Sequence, residues 1–216
     1  MPGVTISAGY GAGGSVVAPN VAELLGLPLL DRAISSRVAA QLNVSVEEAQ
    51  GGAVRRSFLE LLRPLAAGIL AAAPDAAPRE LAAPPSETGL FRDQAESIMR
   101  AALVSGAVIL GRAGAAAFQS EPGVLRVRLF GPQEARIAQA ARIESTDAVT
   151  ARRRLPEVDR ARAQYVRRLY RADIDDPGLF HLHIDSTAIP LDTCAAIIVT
   201  AYHAAFPPAG AEQPGR

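Results

Sequence analysis

The sequence predicts an α/β fold, a doubly wound five-stranded parallel sheet covered by helices on both faces. Three observations predict it. A short β-prone segment, Val4 to Ala8, runs straight into a glycine cluster and then into a helical pattern. Further strand-length apolar runs recur at 27–31, 107–110, 124–130 and 180–185, separated by helical stretches, which is the alternation that builds parallel sheets. Several of these runs end in Asp31, in Gly111-Arg112 and in Gly131, on the carboxyl edge where such sheets hold ligands.

The elements follow in order. Ser15 to Leu25 reads as a helix with Val17, Val21, Leu24 and Leu25 on its apolar side, and Gly26 stops it. Leu27 to Asp31 resumes as a short buried strand. From Arg32 to about Ala73 the pattern is helical, interrupted at Asn43 and at Gly51-Gly52, with Leu59, Leu62, Leu65, Ile69 and Leu70 on one face. Alanine and proline dominate 74–85, so that stretch is expected to be a loop or mobile lid. Phe91 to Val104 is amphipathic and helical, Ala107 to Leu110 is a strand, and Val124 to Phe130 another. Pro132 opens the next helix, as proline does in a first turn. Residues 133–171 are helical and arginine-rich, with a break between two helices expected at Pro156. Phe180 to Asp185 is the last strand and Ile189 to Ala204 the closing helix. A single domain over 1–206 is expected, with a helical insert at about 43–90, a lid at about 145–172 and a disordered tail at 207–216.

Composition sets the outer limits. The chain has 216 residues, enough for one domain with a substantial core. Its 22 basic and 22 acidic residues cancel, so no overall field draws it to nucleic acid or to an anionic membrane, and neither is expected as a partner. Cys194 is the only cysteine, which excludes an intramolecular disulfide and a four-cysteine zinc site and fits a reducing compartment. No basic segment precedes a long apolar run at the N-terminus, and no apolar stretch reaches the roughly 20 residues needed to cross a bilayer. A soluble cytoplasmic protein is expected.

The glycine cluster carries the strongest chemical signal. Binding a phosphate requires converging backbone N–H groups, close approach without Cβ atoms, and the positive end of a helix dipole. Gly11, Gly13 and Gly14 ahead of the Ser15 helix supply these. Two motifs fit. Gly9, Gly11 and Gly14 match G-x-G-x-x-G, the dinucleotide fingerprint, with Asp31 placed to receive a ribose hydroxyl. Against G-x-x-x-x-G-K-[ST], Gly13 and Ser15 fit, Ala8 replaces the first glycine and Gly14 the lysine. The loop alone favours the first.

The rest of the chain reverses that preference. Thr5-Ile6-Ser7 is followed by Tyr10-Gly11-Ala12-Gly13-Gly14, then Gly26-Leu27-Pro28 and Leu30-Asp31-Arg32. Further on come Val108-Ile109-Leu110-Gly111-Arg112, the run Asp159-x-x-Arg162-x-x-Tyr165, Asp176-Pro177-x-Leu179-Phe180, and Ile184-Asp185-Ser186-Thr187 before a helix. In this order and spacing the chain resembles the cytidylate-kinase-like family over nearly all of 4–200. That resemblance implies a P-loop nucleotide-kinase fold and transfer of the ATP γ-phosphoryl group, with Mg²⁺, to a nucleoside monophosphate such as CMP. It implies a nucleotide on Gly9, Gly11, Ala12, Gly13, Gly14 and Ser15, with Asp31 nearby, and an acceptor phosphate on Arg112. Lid arginines are implied at Arg154, Arg162 and Arg168, one of them oriented by Asp159. Small-molecule nucleotides are the expected partners.

Several residues keep two readings. Ser15 offers its hydroxyl either to Mg²⁺ or to the helix terminus as a cap. Asp31 touches the ligand or caps the helix expected from Arg32. His181, His183 and Asp185 share a strand face and could hold a metal, but a structural role is preferred. Tyr165 and Tyr170 are expected to pack. A nucleotide-binding regulator without transfer activity, and a Rossmann-type NAD(P)-dependent oxidoreductase, stay open beside the kinase.

Overall fold

A computed structural model describes residues 2–31 and 87–207. The helical patterns at 32–73, the loop at 74–85 and the tail beyond 207 lie outside the described residues. The chain divides into two compact units, one of 1–31 with 98–216 and one of 32–97. In chain order the described elements are β1 (Gly3–Ala8), α1 (Gly14–Leu25), β2 (Leu29–Leu30), α2 (Glu87–Val104), β3 (Val108–Leu110) and α3 (Gly114–Ala117). After them come β4 (Val124–Phe130), α4 (Gln133–Ile143), α5 (Ala148–Tyr170), a 3₁₀ turn at Pro177–Leu179, β5 (Leu182–Asp185) and α6 (Leu191–Ala205).

The five strands form one wholly parallel sheet in the order β2-β3-β1-β4-β5. β1 is central: Val4 pairs with Val108 of β3 on one side and with Leu125 of β4 on the other. β1 and β2, consecutive in sequence, are therefore not neighbours. Alternation splits the side chains between faces. Val4, Ile6, Leu125, Val127 and Leu129 are buried in one cluster with Val17 and Val21 of α1 and with Cys194, Ala195 and Ile198 of α6. On the other face α3 packs against β1 and β3, where a Cβ on Gly114 would lie 3.0 Å from Thr5 and 3.7 Å from Ile109. Arg126 is buried; its guanidinium donates to the carbonyls of Leu179 and Phe118, and burial pushes its pKa down.

Three expectations change. Leu24 is 59% exposed and belongs to the outer side of α1, whereas Leu25 does pack on the core. The helix break expected at Pro156 lies instead at 144–147, and α5 runs unbroken through that proline. At the real break Ser145 takes φ 50°, Thr146 N–H returns to the Ala141 carbonyl, and Asp147 caps α5 by accepting from the Thr150 N–H at 2.8 Å. Pro156 removes one N–H from the helix, but Pro156 and Arg152 are both exposed, so water can satisfy the carbonyl left over. Meanwhile Ala151, Leu155, Val166 and Leu169 hold the buried side of α5 in place. Thirdly, His181 precedes β5 rather than lying in it. No helix among the described residues is long and apolar enough to cross a membrane.

Candidate functional site

The loop from Gly9 to Ser15 leaves the carboxyl end of the central strand and enters α1, whose N-cap is Gly13 at φ 72°. Gly11 also has positive φ, 73°. Alternating hand in this way turns successive N–H groups toward a common concavity, the nest that binds anions. Each loop carbonyl meanwhile accepts a hydrogen bond. Arg162 Nη1 donates to Ala8 O at 2.8 Å, Arg136 Nη1 to Tyr10 O at 3.0 Å, Gln139 Nε2 to Gly11 O at 3.0 Å, and the buried Ser186 Oγ to Ala12 O at 2.8 Å. Gly9 O accepts from Ala12 N–H, and Gly13 O from Val16 and Val17 N–H. Of the N–H groups, Gly9 is bonded to Leu129 O and Tyr10 to Asp159 Oδ1. Among the described residues the N–H groups of Gly11, Gly13, Gly14 and Ser15 have no acceptor. Four donors at a helix N-terminus, with the loop carbonyls already hydrogen-bonded, make the kind of concavity that can accept an anion.

Tyr10 fastens this loop to the α4–α5 hairpin. Its ring is buried with Ile137, Ala140, Ala151 and Leu155. Its hydroxyl donates to Glu144 Oε2 at 2.8 Å, and Arg154 Nη1 donates to the same oxygen at 3.1 Å. Burial first, then the Glu144 carboxylate, raises the Tyr10 pKa, so the phenol stays a donor.

Beside Ala8 and Gly9 opens a cleft of about 220 Å³, lined among others by Arg128, Phe130, Arg136, Asp159 and Arg162. Arg128 bonds Ser7 Oγ at 3.1 Å and Asp175 at 2.7 Å. Arg136 bonds Gly131 O through Nε at 3.0 Å and Asp159 Oδ2 through Nη1 at 2.7 Å. Phe130, at 42% exposure, is one of the few large apolar side chains left open to solvent among the described residues.

The lysine position of a phosphate loop has no space for a side chain. A Cβ on Gly14 would fall 2.7 Å from the Ala8 Cβ and 3.2 Å from Leu110. The two departures from the lysine motif are thus one: the methyl group of Ala8, where the motif has glycine, fills the room that residue 14 would need.

The structure brings some of the predicted residues together and leaves others apart. Gly9, Gly11, Ala12, Gly13, Gly14 and Ser15 form the loop, and Asp159 and Arg162 meet it directly. Arg112 follows Gly111, whose N–H bonds Ile6 O of β1, so it stands at the adjoining strand end; its charge acts on Tyr165, whose pKa burial raises and Arg112 opposes. Arg154 is engaged with Glu144. Arg168 is exposed near the end of α5, with no bond among the described residues. Asp31 ends β2 with β3 between it and β1, two strand spacings or roughly 10 Å away. The cap reading of Ser15 is corrected, because Gly13 holds that position and the exposed Ser15 hydroxyl makes no cap bond. His181 Nδ1 accepts from the Arg126 N–H, His183 lies against Pro177 O, and Asp185 accepts from Thr187. No cluster able to hold a metal occurs among the described residues.

Arg128, Arg136 and Gln139 were not singled out from sequence, and Ser186 entered only within the run Ile184-Asp185-Ser186-Thr187, with no role given to it. Arg128 had a signal: with Arg126 it alternates through an otherwise apolar strand, placing two charges on one side of a buried sheet.

A model of the cytidylate kinase-like family matches residues 3–188. No curated protein matches the chain significantly. Among solved structures the chain is similar to an uncharacterized protein from Eubacterium ventriosum ATCC 27560, with TM-score 0.60, 16% identity, and 94% of this chain and 98% of that one covered. Weaker likenesses are to shikimate kinase from Acinetobacter baumannii in complex with shikimate, with TM-score 0.48, 16% identity and 96% of both chains covered. A gluconokinase from Sinorhizobium meliloti 1021 gives 0.47 and 15% identity, over 94% of this chain and 90% of that one.

Proposed function

The chain belongs to the cytidylate kinase-like family, which makes it a kinase-type phosphotransferase by descent, and from that premise we propose that it transfers the γ-phosphoryl group of ATP to a nucleoside monophosphate such as CMP in the cytoplasm. The observation that carries this reading is the loop itself, with its carbonyls hydrogen-bonded and the N–H groups of Gly11, Gly13, Gly14 and Ser15 left, among the described residues, for phosphate oxygens. A dinucleotide would instead require an acidic residue at the end of a strand beside β1. The strands beside β1 are β3, which runs into Gly111-Arg112, and β4, which runs into Gly131-Pro132; neither ends in an acidic residue, and Asp31 ends β2 beyond β3, so the oxidoreductase alternative lacks its ribose partner.

In this reading the loop amides hold the polyphosphate of ATP, and Phe130 offers the cleft a flat apolar wall. The Ser15 hydroxyl would hold Mg²⁺, which would supply charge neutralisation to the phosphates. Arg112, at the adjoining strand end, takes the acceptor's phosphate with its planar fork. Asp159 and Arg162 of α5 fix the start of the loop, and Arg154 and Arg168 lie farther out as lid cations. Positioning and charge neutralisation carry the reaction, with no covalent enzyme intermediate. A nucleotide-binding regulator is the second reading, favoured by the absence of a loop cation at Gly14.

The test pairs binding with transfer. Thermal shifts with ATP, CMP, dCMP, NAD and NADP, with and without Mg²⁺, should show stabilisation by ATP and by one monophosphate. Labelled phosphate should then pass from ATP to that monophosphate. ATP binding without transfer to any acceptor selects the regulator; NADP binding without ATP binding overturns the assignment.

A further inference from the structure

We infer that Arg136, reaching Gly9 from α4, carries the phosphate-neutralising charge for which the loop has no room at residue 14; this rests on the reading of the loop as an ATP site. Two observations meet here. Residue 14 is closed to any side chain by Ala8. The guanidinium of Arg136 presses on the same loop at Gly9, its Nη1 lying 2.7 Å from where a Cβ on Gly9 would stand. Gly9 is glycine for this reason: a side chain there would displace the cation.

Arg136 is set for the task where its neighbours are not. Its Nε and Nη1 are tied to Gly131 O, Tyr10 O and Asp159, which fixes the plane of the group, while Nη2 keeps two N–H donors with no acceptor among the described residues. Arg128, by contrast, is committed at both ends, to Ser7 and to Asp175. A guanidinium held by one nitrogen pair and open at the third is pre-organised for a phosphate oxygen, so no ordering cost falls at the moment of binding. Asp159 does not cancel this role. Its other oxygen is held by the Tyr10 N–H, so the carboxylate orients Arg136 and loop together. The charge that a phosphate loop usually carries on its own lysine has moved to the helix after β4.

The experiment measures the dissociation constant of ATP with Mg²⁺ by calorimetry. The variants are Arg136→Gln, Arg136→Lys, Ala8→Gly/Gly14→Lys, and that loop pair combined with Arg136→Gln, each first checked for a cooperative melt. Arg136→Gln should weaken ATP about 10-fold or more, and Arg136→Lys, which keeps the charge and loses the fork, should stay within about threefold of wild type. Returning a lysine to residue 14 should rescue Arg136→Gln to within about threefold, because the cation is restored. Wild-type affinity in Arg136→Gln, or equal weakening by Gln and Lys, overturns the inference while the loop reading stands. Absence of ATP binding by the wild type removes the loop reading itself. Should Arg136→Gln fail to fold, the loop pair alone decides. With the role already filled by Arg136, the new lysine should strengthen ATP less than about threefold, and a gain of about 10-fold or more overturns the inference.

Discussion

Asp159 and Tyr10 meet through the backbone: the Tyr10 N–H donates to Asp159 Oδ1 at 2.8 Å, so a carboxylate on α5 is bonded into the glycine loop while its second oxygen holds Arg136. Asn cannot do both, since its amide nitrogen would face a donor. Asp159→Asn should lower stability by about 1–3 kcal/mol, read from urea midpoints, and weaken ATP as the loop loosens. Unchanged midpoint and affinity would show that this carboxylate holds nothing in place.

The contact between residues 8 and 14 predicts a compensating pair. Gly14→Ala places its methyl group 2.7 Å from that of Ala8 and should cost about 1–3 kcal/mol by overpacking. Ala8→Gly/Gly14→Ala should recover most of that loss, giving a coupling energy of about 1 kcal/mol or more in a double-mutant cycle. Additive effects would mean that the loop relaxes freely.

His181 predicts a pH dependence. Burial, and then the Arg126 charge, holds its pKa below the ordinary value, and its Nδ1 accepts from the Arg126 N–H at 3.2 Å only while unprotonated. The folded state thus binds the proton less readily than the unfolded chain. This contribution is fully present above the unfolded value of about 6.5 and is lost as pH falls through the lower folded value. Wild type should lose more stability than His181→Asn between about pH 7 and about pH 5. Parallel pH profiles for the two would contradict this.

Asp147 predicts a local effect. It caps α5 through the Thr150 N–H and hydroxyl, both at 2.8 Å, and those bonds lower its pKa. Asp147→Ala should lower the melting temperature, with Asp147→Ser recovering most of the loss. A melting temperature unmoved by Asp147→Ala would remove the cap from the account of where α5 begins.

The strands and the glycine loop were legible because each rests on local signals: apolar runs of strand length, and glycines ahead of a helix. Strand order was not, because β2 has only Leu29 and Leu30 in the ladder and nothing local says that β3 enters between it and β1. The Pro156 break was misread for a reason of exposure, since a proline on the wet side of a helix loses one bond that water replaces. The true break had its own signal in Ser145-Thr146-Asp147. The loop contacts of Arg136, Gln139 and Ser186 escaped because each is a single polar residue that reaches a carbonyl far away in sequence. Asp159 and Arg162 were found through the resemblance, and not through helical spacing.

The strand order also dictates when the loop can exist during synthesis. Val4 has no sheet partner until Val108 and Leu125 have been made, so at about 5–20 residues per second the central strand waits several seconds or longer on the ribosome. Such distant pairing slows folding, because the closure entropy of the intervening chain is met before any contact rewards it. The loop waits longer still. Its carbonyls are held by Arg136, Gln139, Arg162 and finally Ser186, so the first segment of the site to be synthesised is the last to be completed. A nascent chain stalled before Ser186 would carry every glycine of the loop and lack the bond that orients Ala12.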